Sequence, residues 1–225
     1  MNTENHANLI DIGTGIYTIA DIASILNLPA GKVRRWMKEY WNAQFRSSDG
    51  VGFSEGSGRN LVTNFHTLIE FFIFYQLRSE GVSMQRIVKA HQLLANIFDT
   101  KYPFASSKVL TDGKQILFEG KTNEIIQADQ TLQIIIKDII EPFCKKIDFN
   151  HSELAERFYP LGKEHAIIVD PHRRFGQPLV GNSNILAETV HLLLAGGESE
   201  TTIKNLYDLS SKEIRDVILF YQRAA

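Results

Sequence analysis

Residues 22–40, "IASILNLPAGKVRRWMKEY", and residues 203–221, "IKNLYDLSSKEIRDVILFY", align without a gap. Ile22 pairs with Ile203, Ile25 with Leu206, Leu28 with Leu209, Val33 with Ile214, Arg34 with Arg215 and Tyr40 with Tyr221. Each stretch is an apolar run, a short polar break and a second apolar run, the outline of two helices joined by a tight turn. A weaker third echo is "EGVSMQRIV", with Val82 at the turn and Ile87 in the helix. The matches meet the shared demands of two helices packing across a turn, so they constrain architecture without requiring common ancestry. A chain that carries such units near both ends is largely helical there.

The two units differ in what they turn outwards. At about 100° per residue, Val33, Trp36, Met37 and Tyr40 share one side of the first unit's second helix and pack on Ile22 and Leu26. The other side carries Arg34, Arg35 and Lys38, with Lys32 on the flank. Between Ala30 and Arg46 there are five basic residues (Lys32, Arg34, Arg35, Lys38, Arg46) against one acidic residue, Glu39. That excess sits in a protein of net charge −2, so it is a local feature and not a general basic coat. Cations on the outward face of a helix that follows a tight turn suit insertion into a major groove and contact with phosphates. In the second unit Ile214, Val217, Ile218 and Tyr221 take the buried role, and the opposite side carries Asp216, Leu219, Phe220 and Arg223. Asp216 would repel phosphate, and Leu219 with Phe220 would be an apolar patch unless covered. Two covers remain open: the middle of the same chain, or another protein. Either way this is a protein-packing unit and not the DNA reader.

Three segments follow from the punctuation. Residues 1–104 read as helices, with Thr18 capping the first and "PAGKVRRWMKEYW" opening on a proline in its first turn. The loop "RSSDGVGFSEGSGRN" is too polar to be core, and "NFHTLIEFFIFYQLRSEG" and "SMQRIVKAHQLLANIF" are a helix pair broken at Gly81. Residues 105–164 change period: Asp112-Gly113 between apolar runs predicts a tight β-hairpin, "TLQIIIKDIIEPF" a helix closed by Pro142, and "RFYPL" a strand. Residues 165–225 begin with a strand, "HAIIVD", and a loop from Asp170 to Asn184, then return to helix. In that loop Asp170-Pro171 and Gly176 set turns, Phe175 is expected to anchor in the core, and Arg173 and Arg174 reach outwards. The expected fold class is α+β and mainly helical: a winged helix-turn-helix, a short hairpin and strand segment, and a small three-helix domain.

Composition narrows the function classes. An apolar fraction of 44% and a charged fraction of 22% are those of an ordinary globular chain. The single cysteine, Cys144, can form neither an internal disulfide nor a thiolate metal cage. The opening "MNTENHANLIDIG" does not read as a signal peptide, and the apolar run "LQIIIKDII" is interrupted by Lys137 and Asp138, so a cytoplasmic protein without a membrane segment is expected. Of the histidines, His165 and His172 have no carboxylate in a metal-binding or acid/base spacing, and His66 and His91 have no ligand partner one helical turn away. No phosphate-binding glycine loop, nucleophile elbow or zinc spacing is present. The chain is expected to be no enzyme and to need no cofactor or metal.

Two resemblances attach to these residues. Residues 15–95 resemble the DNA-binding part of MerR-type winged-helix regulators: "YTIADIASILNLPAGKVRRWMKEY" looks like their helix-turn-helix, "RSSDGVGFSEGSGRN" stands in place of their wing, and "EGVSMQRI" is the most specific portion of the following helix pair. The resemblance implies a recognition helix bearing Arg34, Arg35 and Lys38, with Arg46 and Arg59 of the wing near the phosphate backbone. The aromatic usual near Arg59, the long dimerising coiled coil and the cysteine effector site are missing. From residue 166 onwards, "IIVDPHRRFGQPLV", "AETVHLLLAGGES" and "IKNLYDLSSKEIRDVILFY" are similar to the domain of unknown function 433 family, although "GNSNIL" replaces a Gly-Thr-Arg-Ile-Pro-like run. The two together resemble VapB-type antitoxins. What this implies is an antitoxin that neutralises a PIN-like ribonuclease toxin and represses its own operon at operator DNA as a homodimer. Arg173 and Arg174 would then hydrogen-bond the toxin's metal-site carboxylates, and Asp216, Leu219 and Phe220 would complete the partner surface. The alternative is a stand-alone MerR-like transcription regulator whose C-terminal domain dimerises or binds a ligand.

Overall fold

The protein is described by a computed structural model over residues 13–45, 52–109 and 140–223. Strand β1 (Tyr17–Thr18) leads directly into helix α1 (Ile19–Leu26). Thr18 accepts a hydrogen bond from the Asp21 amide while the Asp21 carboxylate accepts from the Thr18 amide, a reciprocal capping box. Asn27 ends α1 in the left-handed conformation (φ 54°), a position asparagine tolerates better than most residues. Pro29 stands just outside helix α2 (Ala30–Trp36), which widens into a π-type turn over Met37–Trp41. Its buried side is the expected one: Val33, Trp36 and Met37 are buried, and Tyr40 packs partly buried on the same core.

A short antiparallel pairing joins β1 to β2 (Val62–Thr63), and a bridge pairs Glu55 with Val62 on the other side. Helices α3 (Phe65–Ser79) and α4 (Met84–Phe98) follow, α3 capped by the Asn64 side chain. Gly81 has φ +83°, which breaks the chain between them as the sequence predicts. The loop read as too polar for the core carries one exception. Phe53 is fully buried, its carbonyl takes a hydrogen bond from the Thr63 hydroxyl, and the Lys101 ammonium lies 4.7 Å over its ring.

The hairpin expected at Asp112-Gly113 and most of the helix expected over 131–143 lie outside the described residues. The end of that segment is the short helix α5 (Glu141–Cys144), which runs past Pro142 instead of stopping there, because proline is accepted in a first turn. Strands β3 (Ile147–Phe149) and β4 (Ala155–Phe158) form a hairpin, β5 (Ile167–Ile168) pairs with β6 (Leu179–Val180), and a bridge between Phe158 and Val169 joins the two pairs. β6 falls inside the stretch expected to be all loop. Helices α6 (Ala187–Ala195), α7 (Glu200–Tyr207) and α8 (Ser211–Gln222) close the described chain.

The architecture is mixed and mainly helical, with two hydrophobic cores. The larger gathers α1 to α4 with β3 and β4; the smaller gathers β5, β6 and the last three helices. Val169 belongs to the first core and Ile167 to the second, so the strand between them is the seam. In the larger core Glu70 and His91 meet with Nε2 2.8 Å from Oε2, at ion-pair distance but without hydrogen-bond alignment. The other Glu70 oxygen accepts from the Phe104 and Ala105 amides, so α3, α4 and the turn at Pro103–Ala105 are tied at one point.

Candidate nucleic-acid interface and partner surface

The helical period that buries Val33, Trp36 and Met37 leaves Arg34, Arg35 and Lys38 exposed, and nothing in the described chain covers them. Arg35 has one carboxylate near it, Glu39 at 3.9 Å, and both side chains are about half exposed or more, so the pair holds it weakly. Lys32 is half-buried and differs from its neighbours: its ammonium lies 4.8 Å over the Trp36 ring and 5.2 Å over that of Tyr75. The outward side of α2 is therefore a row of exposed cations on a helix whose other side is locked by aromatic packing. Trp36 meets Phe74 edge-on at 4.9 Å and Trp41 stacks on Phe71 at 3.9 Å. Such a helix presents its charge on a frame that packing holds in place.

Arg59 sits in the tight turn Gly58–Asn60, at the tip of the segment closed by the Glu55–Val62 pairing, and is exposed. The tip needs glycine: at Gly56 (φ +78°) an added Cβ would lie 2.3 Å from the Asn60 carbonyl oxygen. Because β2 pairs with β1, this projection is fixed to the strand that leads into α1. Arg46 lies outside the described residues.

The second pair of helices repeats the first at its turn and differs from it at the following cap. Asp208 ends α7 in the left-handed conformation (φ 52°), where Asn27 ends α1, but Ser210 makes a capping box with Glu213 at the start of α8, where Pro29 gives α2 no side-chain cap. Its outward face is corrected by the structure. Asp216 is 5% exposed and Phe220 2%, so both are covered by the chain itself; Leu219 (41%) is the member of the expected face still open. The Asp216 carboxylate accepts from the Ala166 amide (2.8 Å), lies 2.8 Å from His165 Nδ1 and pairs with Lys212 at 2.7 Å. Burial raises the Asp216 pKa, but hydrogen bonds from Lys212, His165 and Ala166 outweigh it and hold the carboxyl below its ordinary range. His165 thus has a carboxylate that local spacing could not reveal, since the partner comes from α8. Leu192 and Leu206, at 60% and 64%, are the other strongly exposed leucines of the last three helices.

The loop after β5 is the most unusual backbone in the described chain. Asp170, buried, accepts from the His172 amide and from Arg157. Arg174 (φ 47°), Phe175 (φ 56°) and Gly176 (φ +84°) are then left-handed in succession. Two of these carry a Cβ, a conformation that costs on the order of 1–3 kcal/mol each and persists only where surroundings enforce it. The enforcement is visible. An added Cβ on Gly176 would lie 1.9 Å from the Tyr17 hydroxyl oxygen, and the Ile16 amide donates to the Phe175 carbonyl at 3.0 Å. The Arg173 guanidinium donates to the Asn182 carbonyl at 2.9 Å, the Asn184 side chain and the Ser183 carbonyl. Arg173 is therefore a brace within the loop and does not reach outwards. Phe175, expected in the core, is 74% exposed, and Arg174 beside it is exposed too. Its neighbour's missing side chain explains the reversal: Gly176, not Phe175, fits against Tyr17. Burial first, then the Asp170 and Asp21 charges, push the Tyr17 pKa well above its ordinary value. Burial likewise pushes the Cys144 thiol up to about 12.

Among the described residues no group of histidine, cysteine and carboxylate side chains could hold a metal ion, and no helix is long and apolar enough to cross a membrane.

The seam strand, the braced loop and the last three helices coincide with a known sequence family: residues 167–221 match the family described as "Protein of unknown function (DUF433)". The similarity then extends well beyond that segment. Over 222 residues, 90% of this chain and 92% of the relative, the chain is 22% identical to the Mycobacterium tuberculosis protein named "Putative antitoxin VapB45". The crystal structure of Rv2018 from Mycobacterium tuberculosis has the same fold: TM-score 0.71, 21% identity, covering 94% of this chain and 99% of that one.

Proposed function

We propose that this chain is the antitoxin of a toxin–antitoxin pair, which binds and neutralises a toxin protein and represses its own operon by binding operator DNA. Similarity to the named antitoxin over nearly the whole of both chains carries this reading. The uncovered row of Arg34, Arg35 and Lys38 supports the DNA half, with Arg59 contacting the flanking backbone as the wing of a MerR-like winged helix. The exposed Arg174–Phe175 tip supports the partner half: it is held in shape by Gly176, Tyr17 and Arg173 before any partner arrives, so little ordering cost remains at binding.

The toxin is a PIN-like ribonuclease whose metal is held by carboxylates. Arg174 forms charge-assisted hydrogen bonds with acidic groups at the rim of that site, and Phe175 fills an apolar recess beside them. The antitoxin itself is no enzyme; it works in the cytoplasm as a homodimer with Leu219 in the protein-contact surface. The gene beside this one, expressed alone, is expected to arrest growth, and co-expression of this chain to restore it, with both proteins eluting together on size exclusion. A harmless neighbour that forms no complex would overturn the toxin half.

A further inference from the structure

Between α2 and the end of α3 lies a cleft of about 360 Å³ that none of the above uses. Lys32 and Arg35 enter it from α2 and Arg78 from α3, and Trp36, Tyr40 and Tyr75 supply aromatic walls. Among the described residues no carboxylate lines it. Lys32 is held in place by the Trp36 and Tyr75 rings, and Arg78 by donating Nη1 to the Val82 carbonyl at 2.5 Å, which leaves its other donors unused by that bond. Arg35 has only its loose contact with Glu39. Two cations held in place and a third held loosely, around one recess with aromatic walls, repel one another until an anion joins them, and the low-dielectric walls strengthen that attraction. A carboxylate offers one charge in one plane. A phosphoryl group offers oxygens in several directions, which matches an ammonium and two guanidinium forks from different elements.

We propose that this cleft binds a phosphoryl group. It has two sources: a backbone phosphate of duplex DNA lying against α2, which would extend the DNA-binding reading given above, or a free phosphorylated small molecule, which needs no DNA at all. Bound there, a free anion would neutralise Lys32 and Arg35 on the helix proposed to meet DNA, and would compete with the duplex.

The test uses the full chain and inorganic pyrophosphate, followed by tryptophan fluorescence, because Trp36 lines the cleft, and by calorimetry. Parallel titrations with a duplex give the salt slope. Lys32→Gln and Arg78→Gln are each expected to weaken pyrophosphate binding about tenfold or more, and Arg78→Lys, which keeps the charge and loses the fork, to fall between the parent and Arg78→Gln. Arg78 also braces the turn between α3 and α4 through the Val82 carbonyl, so melting curves of each variant accompany the titrations, and Lys32→Gln reports independently of that brace. If Arg78→Gln also lowers the duplex salt slope by about one and pyrophosphate competes with DNA, the backbone is a source. If pyrophosphate binding is lost and duplex binding stays unchanged, the ligand is a free anion. Pyrophosphate binding in a chain that binds no duplex would sink the DNA reading and keep the cleft. Absence of pyrophosphate binding, with a duplex salt slope indifferent to both variants, would overturn the assignment.

Discussion

Replacing Arg34, Arg35 and Lys38 together with alanine is the sharpest perturbation of the proposed duplex contact. All three side chains are exposed and none braces the fold, so the variant is expected to melt within a degree or two of the parent. Each phosphate neutralised by a cation contributes about 0.9 to the slope of log affinity against log salt, so three lost contacts flatten it by about 2.7. At about 0.1 M salt the same counterion release is worth roughly eightfold per contact, hence on the order of 500-fold in affinity for the three. Titration of a fluorescent duplex at four or five salt concentrations measures both quantities. The loss is expected on operator and unrelated duplexes alike where these residues touch phosphates, and to be larger on the operator where one reads a base edge. An unchanged slope, with a properly folded variant, would refute the assignment of α2 as the helix that meets DNA.

Gly176→Ala is expected to lower stability by more than about 2 kcal/mol, read from urea denaturation, because the new methyl group meets the Tyr17 hydroxyl in a backbone that already disfavours a side chain. Phe175→Ala is expected to leave the melting temperature unchanged, since the ring is exposed, and to weaken the toxin complex about tenfold or more by calorimetry. Asp216→Asn is expected to cost about 1–3 kcal/mol near neutral pH. The Asp216 carboxyl is held below its ordinary range, so its contribution is complete above the unfolded value of about 3.9 and fades as pH falls through the folded value. The parent and Asp216→Asn melting curves should therefore converge in acid; a gap that stays constant would exclude a charged Asp216.

The sequence made the helices legible wherever one side of each was apolar and the caps were local. Thr18 with Asp21, and the Val33, Trp36 and Met37 stripe, are set by neighbours within a turn or two, and they stand where periodicity puts them. What could not be read depends on distant chain. Phe53 is buried because Lys101 and Thr63 come to it, and Phe175 is exposed because Tyr17 takes the space beside Gly176. β5 stands inside the strand read from "HAIIVD", whereas its partner β6 hid inside an apparent loop because a strand this short carries too few residues for alternation to show. The cationic residues of α2 were legible as a set, whereas Arg78 was not attached to them, since its place opposite Lys32 follows from how α3 crosses α2.

The two similar units show most directly why pattern alone misplaces a surface. Arg35 and Asp216 occupy equivalent positions, about 200° around the helix from Val33 and Ile214 respectively. In the first unit that direction opens on the cleft beside α3, and a cation stands there exposed. In the second it meets the chain that leads into β5, and the side chain is a buried carboxylate bonded to Ala166, His165 and Lys212. Helix α8 packs on α6, α7 and β5, so its buried face runs from Ile214 through Val217 to Asp216, and Phe220, 240° from Ile214, is drawn in as well. A cation at position 216 would face an ammonium and an imidazole with no anion between them. The charge reversal between these positions is therefore imposed by packing: the frame that leaves one unit free to present cations is, in the other, consumed in holding the chain's own seam together.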